Sequence, residues 1–193
     1  RFFQMQSFWD FITGTTWNPG ASFLEAAGRA EEGASAAKFG SVPLFAGTFM
    51  ITFIAMLVAI PIGLLAAIYM DEFAPPKVRT IAKPVLEVLA GIPTVVYGFF
   101  AAITVAPIIV AVAGFFGLEA SFNNALAPGI VMGIMIIPFI SSLSDDVITS
   151  VPDTMRQGSL ALGMTHGETI RNVILPAALP GIISASLLAM SRA

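Results

Sequence analysis

No charge interrupts the chain from Phe39 to Met70, and that stretch easily holds the roughly 20 apolar residues a helix needs to cross a bilayer. It predicts a transmembrane helix, kinked at Pro61, where one backbone donor is missing. A charged connection with two prolines follows, Asp71-Glu72-Phe73-Ala74-Pro75-Pro76-Lys77-Val78-Arg79, and then Lys83. The next apolar region, Pro84 to about Phe116, is longer than one span and is interrupted by Glu87, Gly91-Ile92-Pro93 and Pro107. It predicts a short interfacial helix and then one crossing. Gly117 to Asn124 forms a short loop with Glu119, Asn123 and Asn124 and no cation. Leu126 to Leu143 predicts a further span, interrupted by Pro138 and closing on the polar run Ser141 to Asp146. From Ala177 the chain is apolar again. Residues 1–38 hold no run of span length; Trp9 and Trp17 there suit either anchoring at the headgroups or the core of a small folded loop.

Composition agrees with lipid as the solvent: 193 residues, 56% hydrophobic, 11% charged, mean hydropathy +0.88. A net charge of -3 with scattered signs offers no basic face to nucleic acid. With no cysteine and a lone histidine, His166, neither disulfides nor a metal site is expected. A glycine-rich loop of the G-x-x-x-x-G-K-[ST] type is missing, so ATP is not expected to bind this chain. The first residues do not read as a signal peptide, and both ends read as cuts within a longer chain. Cations gather between Lys77 and Lys83 and between Arg156 and Arg171, which the positive-inside bias places in the cytoplasm. Residues 1–38 then form an extracytoplasmic segment and 39–193 a transmembrane core with a long cytoplasmic insertion, 144–176.

That insertion carries two helix-start signals. Ser150-Val151-Pro152-Asp153 has a cap hydroxyl, a proline tolerated in the first turn and a carboxylate near the positive helix end. The helix it starts should stop at Gly163, the residue best able to adopt the left-handed conformation. Thr165-His166-Gly167-Glu168 then fits a capping box, and Ile170, Val173 and Ile174 repeat at helical spacing up to an exit at Leu175-Pro176. The result is a helix, glycine turn, helix elbow. Its apolar residues Leu160, Leu162, Met164, Ile170, Val173 and Ile174 need cover, which a protein partner with a groove would supply. The alternative is that the elbow packs only on its own bundle.

Ala161-Leu162-Gly163 followed by Val173-Ile174-Leu175-Pro176 resembles the EAA loop of ABC importer permeases in spacing, although the EAA triplet reads Gln157-Gly158-Ser159 here. Phe39-Gly40-Ser41-Val42-Pro43-Leu44, Ala66 to Met70, Lys83 to Glu87 and Leu89 to Phe100 narrow this to a resemblance to the PstC family of phosphate importer permeases. The resemblance implies an all-α polytopic type I ABC importer transmembrane domain in the inner membrane, here a fragment lacking its first and last spans. It implies a homologous permease partner PstA, an ATPase dimer PstB holding ATP and magnesium, and an extracytoplasmic phosphate-binding protein PstS. Contact with the ATPase would fall to Arg156, Gln157, Gly158, Ser159, Gly163, Met164, Thr165, His166, Glu168, Leu175 and Pro176. The missing glutamate removes any ionic contact by the triplet and leaves the turn geometry. Molybdate or sulfate importers, and a membrane scaffold in phosphate sensing, are the rival readings.

The remaining polar residues suggest no catalytic site. Ser141, Ser142 and Ser144 are candidates for the inner end of a translocation path, although serines in membrane helices usually bond their own backbone or a neighbouring helix. Asp145 and Asp146 point about 100° apart on a helix and cannot act as a pair on one face, so interfacial solvation is expected of both. Glu87 is expected at the cytoplasmic boundary, solvated or paired. No cation falls inside a span so delimited, which assigns cargo selection to the binding protein or the partner permease.

Overall fold

Among the described residues, three helices contain one turn of wider, π-helical backbone, and in each case a proline stands two residues beyond it. The turns are Tyr69–Phe73, Ala101–Val105 and Ile170–Ile174; the prolines are Pro75, Pro107 and Pro176. A proline brings no N–H to the helix ladder, and its ring presses on the carbonyl four residues back. Widening the preceding turn moves that carbonyl aside. Pro61, Pro84, Pro138 and Pro180 lie inside helices with no such turn ending two residues before them.

The computed structural model describes residues 7–18, 38–122 and 124–192. The chain divides into two compact units, residues 1–50 and 51–193. In the first, the short helix α1 (Phe8–Thr13) precedes β1 (Trp17–Asn18), which pairs antiparallel with β2 (Lys38–Phe39). Trp17 lies opposite Phe39, their rings edge-on at 5.8 Å, while Trp9 is exposed. Gly14 and Gly40 are in backbone contact, leaving no room for a side chain at either. The stretch from Glu25 to Ala37 lies outside the described residues.

Among the described residues, four helices are long and apolar enough to cross a membrane: α2 (Val42–Phe73), α4 (Thr94–Phe115), α5 (Leu126–Thr149) and α7 (His166–Met190). Between them lie the amphipathic α3 (Pro76–Ala90) and the short α6 (Asp153–Ala161). The helix of α2 runs on through Pro61. A stripe of small residues every fourth position, Ala55, Ala59, Gly63 and Ala67, is its buried face. It meets Gly129 and Gly133 on α5, where an added methyl would lie 2.7 Å from Ile54 Cγ2 or 2.8 Å from the Ala55 carbonyl oxygen. Small residues let helix backbones approach closely in lipid, where packing rather than water expulsion drives association. Where α5 meets α7, Ile136 and Ile140 pack with Ala59 and Ala189.

Three boundaries differ from those expected. The span predicted to close at Leu143 continues to Thr149, because Asp145 is paired inside the protein and does not force the helix out of the membrane. Ser150 does not cap α6; it ends α5, its hydroxyl donating to the Val147 carbonyl at 2.6 Å, and Pro152 takes the cap position of α6 with no side-chain bond. The second elbow helix does not end at Pro176, since the widened turn lets it run unbroken into the last span.

Candidate functional site: the elbow and the charged end of the bundle

The elbow turns at Gly163, whose φ of +85° is one that L side chains rarely adopt. Gly163 N donates to the Leu160 carbonyl at 2.9 Å and Met164 N to the Ser159 carbonyl at 3.2 Å, the paired bonds of a Schellman stop. The restart is the expected capping box: Glu168 N donates to Thr165 Oγ1 and Thr165 N to Glu168 Oε2. Across the turn the two arms are joined by Ser159 Oγ, 3.0 Å from Thr169 Oγ1, both residues buried.

The apolar residues of the elbow divide in two. Ile170 and Ile174 are buried in a core with Ala67, Ile148, Val151, Ala178 and Ile182, so the elbow does pack on its own bundle. Leu160, Met155 and above all Leu162, 86% exposed next to the turn, face outward. Gln157, Gly158, Gly163, Thr165, His166, Glu168 and Pro176 are also exposed, Arg156, Met164 and Leu175 half-buried, and Ser159 buried. Sequence spacing alone does not separate these sets, because the turn at Gly163 breaks the helical register between them.

Beneath the elbow lies a network of charges that joins five elements. The Asp145 side chain is fully buried, yet it accepts from Arg79 Nη2 at 3.1 Å and pairs with Lys83 Nζ at 2.8 Å. Arg79 and Lys83 are four residues apart on α3, so they share one face. The Asp146 side chain is 64% exposed and lies 3.3 Å from Lys83 Nζ. The expectation that both aspartates are simply solvated therefore fails for Asp145: the 100° between them turns one inward and the other to the surface. Hydrogen bonding to Asp145 holds the Lys83 ammonium above its ordinary pKa against a burial penalty.

The second half of the network centres on Arg156. Its Nη2 lies 2.9 Å from Asp71 Oδ2 and 3.1 Å from the Ile148 carbonyl, and its Nη1 bonds Glu72 Oε1. Partial burial works against this charge, but the bonds and charges of Asp71 and Glu72 outweigh it and raise the pKa. Glu72 Oε2 is 3.4 Å from His166 Nε2, and the Phe73 ring stands edge-on to that imidazole at 5.7 Å. Thr149 Oγ1 lies 2.8 Å from Asp71 Oδ1.

A second feature sits between α4 and α5. Arg192, just past α7, places its guanidinium 4.1 Å from the centre of the Phe139 ring, near the middle of α5. It lines adjoining cavities of about 340 and 280 Å³, shared with Thr94, Tyr97, Met132, Met135 and Phe139. A cation over an aromatic face is stabilised by the ring quadrupole, a useful compensation where water is scarce.

Comparison with known proteins identifies the architecture. The family described as "binding-protein-dependent transport system inner membrane component" matches residues 59–193. The chain belongs to that family. It is a multi-pass inner-membrane permease chain. It is 38% identical over 184 residues to the "Probable ABC transporter permease protein YqgH" of Bacillus subtilis, covering 95% of this chain and 54% of that one. It is 34% identical over 201 residues to the "Phosphate transport system permease protein PstC 1" of Mycobacterium tuberculosis, covering 95% and 59%. The chain thus spans a little over half the length of these curated relatives. A solved structure of the MetNI methionine ABC transporter in an inward-facing conformation aligns with TM-score 0.56 and 21% identity, over 78% of this chain and 66% of that one. That likeness shows the fold, an all-α importer transmembrane domain.

Two placements in the permease depart from sequence reasoning. Arg192 stands at the limit of the last apolar run, where no window of residues marks it, and its place beside Phe139, near the middle of α5, follows only from the packing of α7 on α5. Ser141 and Ser144 are fully buried with hydroxyls that have no partner among the described residues, while Ser142 is half-buried. With Asp145 and Ile148 they form one buried face of α5, at i, i+3, i+4 and i+7.

Proposed function

We propose that this permease forms half of the translocation path of an ATP-driven phosphate importer. The observation that carries the cargo assignment is the guanidinium of Arg192 on a cavity between the spans. A charge at that depth costs roughly 2.5–3.5 kcal/mol on insertion scales, a penalty retained where an ion must be met. An anion is the natural complement, and arginine suits the oxygens of a phosphate. Relatives named as phosphate permeases support the same choice. The charged end with Lys77, Arg79 and Lys83 faces the cytoplasm in this reading, and residues 1–38 the opposite side.

The elbow, with Leu162 at its tip, docks into a groove of an ATPase dimer of the PstB kind, which holds ATP and magnesium. A homologous PstA permease completes the path, and a PstS-type binding protein delivers the ion. Chemistry in this chain is limited to changing shape; hydrolysis belongs to the ATPase. Uptake of radiolabelled phosphate by the complete transporter, with unlabelled phosphate, sulfate or molybdate as competitors, tests the cargo. Competition by phosphate alone is expected, and preferential competition by sulfate or molybdate overturns it. Transport in vesicles lacking any sensor kinase separates an importer from a sensing scaffold.

A further inference from the structure

At the end of α2, Glu72 reaches both arms of the elbow. Glu72 is almost wholly buried, its side chain 2% exposed, and its two carboxylate oxygens are divided between the arms. One accepts from Arg156 on α6; the other lies 3.4 Å from His166 at the start of α7. Gly163 stands between those arms, and its φ of +85° leaves the angle of the elbow to a single residue without a side chain. A glycine turn alone is a soft joint, since glycine has the widest conformational range. Arg156 extends the contact further, to Asp71 at 2.9 Å and to the Ile148 carbonyl at the end of α5 at 3.1 Å. Asp71 in turn reaches Thr149 at 2.8 Å and Arg79 at 3.5 Å.

Burial makes this arrangement rigid. Ion pairs between exposed side chains are worth little, but a carboxylate removed from water is costly unless every partner is present. Glu72 and Asp71 are both nearly inaccessible, and Arg156 supplies two nitrogens to them, so displacing α6 from the end of α2 takes the guanidinium away from two buried anions at once. The outward face of the same arms, with Leu160 and Leu162, is left free for a partner.

We propose that Glu72 is a positioning residue that, with Arg156, locks the two arms of the elbow to the widened turn ending α2, so that force on the elbow tip reaches α2 directly. This rests on the reading of the elbow as the ATPase docking element. The load path does not then depend on α7 alone. The acidic residues of the 71–72 pair act within the chain, and Arg156, expected at the ATPase, faces inward.

These 193 residues hold no cysteine, so a cross-linking test is made in a complete transporter whose remaining cysteines have been replaced. Glu72→Ala is expected to assemble with its partners and hydrolyse ATP, while phosphate transported per ATP hydrolysed falls at least tenfold. Glu72→Cys with Arg156→Cys is expected to show the same loss when reduced, and recovery once a short bifunctional thiol reagent joins the two positions. An unchanged ratio in Glu72→Ala, or cross-linking that abolishes the transport seen before it, overturns the clamp.

A second measurement needs no cargo. Spin labels on Thr154→Cys and Val78→Cys in the purified transporter are expected to give one narrow distance distribution that broadens with Glu72→Ala; an equally narrow distribution in the variant overturns the proposal. Absence of phosphate uptake by the wild-type complex would instead refute the importer reading, and the label distances still decide the clamp.

Discussion

Replacing Gly163 isolates a backbone effect from a packing effect, because nothing lies within 4 Å of the position a Cβ would occupy there. The whole penalty of a side chain is therefore conformational. An L residue in the left-handed region costs roughly 1–2 kcal/mol, less for asparagine and more for a β-branched residue. A penalty of that size lowers the ratio of formed to opened turn by roughly 5- to 30-fold. Opening breaks the bonds from Gly163 N and Met164 N and swings Leu162 away from its position beside the turn. Coupled uptake should fall in the order Asn, Ala, Val, with Gly163→Val losing at least tenfold in phosphate moved per ATP while ATP hydrolysis continues. The assay is uptake and hydrolysis measured together in proteoliposomes of the complete transporter. Equal losses for Asn and Val would mean that space matters rather than φ, and wild-type coupling in Gly163→Val would refute the role of the turn.

Other perturbations follow from the same geometry. Asp145→Ala removes the buried partner of Arg79 and Lys83 and should destabilise by about 2–3 kcal/mol, less than the roughly 3–5 kcal/mol of a broken buried pair because both cations can turn to water; Asp146→Ala should change stability by under about 0.5 kcal/mol. Thermal unfolding of the two variants in detergent makes that comparison. Gly133→Ala drives a methyl against the Ala55 carbonyl and Val58 and should cost about 1–3 kcal/mol, whereas Gly114→Ala meets nothing and should be neutral or slightly stabilising. Arg192→Gln should lower phosphate transport at least tenfold with ATP hydrolysis retained, and Arg192→Lys should recover only part of it, since lysine keeps the charge and loses the planar fork.

Much of this arrangement was legible in the residues. The four spans follow from uncharged apolar runs of sufficient length, and the Thr165 and Glu168 box from a local pattern that needs no tertiary information. Gly163 likewise declares its turn. Three things were not legible, each for a physical reason. Ser150-Val151-Pro152-Asp153 has the letters of a helix start, but the preceding helix does not stop at Leu143 and takes Ser150 as its own end. The extent of α5 depends on Asp145 finding Arg79 and Lys83, 66 and 62 residues earlier in the chain, and no local window contains that pairing. Arg156 reads as a surface cation beside the EAA-like triplet until Asp71 and Glu72 are seen to lie beneath it. The clue available in sequence was the spacing of Arg79 and Lys83 by one helical turn, matched by Ser141, Ser144, Asp145 and Ile148 on a single face.

Proteoliposomes containing the complete transporter, loaded internally or externally with ATP and given labelled phosphate with its binding protein, test the central claim most directly. Phosphate should accumulate against its gradient on the side where ATP is hydrolysed, at a rate that stops with ATP depletion. Equilibration without ATP, or no phosphate movement while ATP is hydrolysed at full rate, would contradict it.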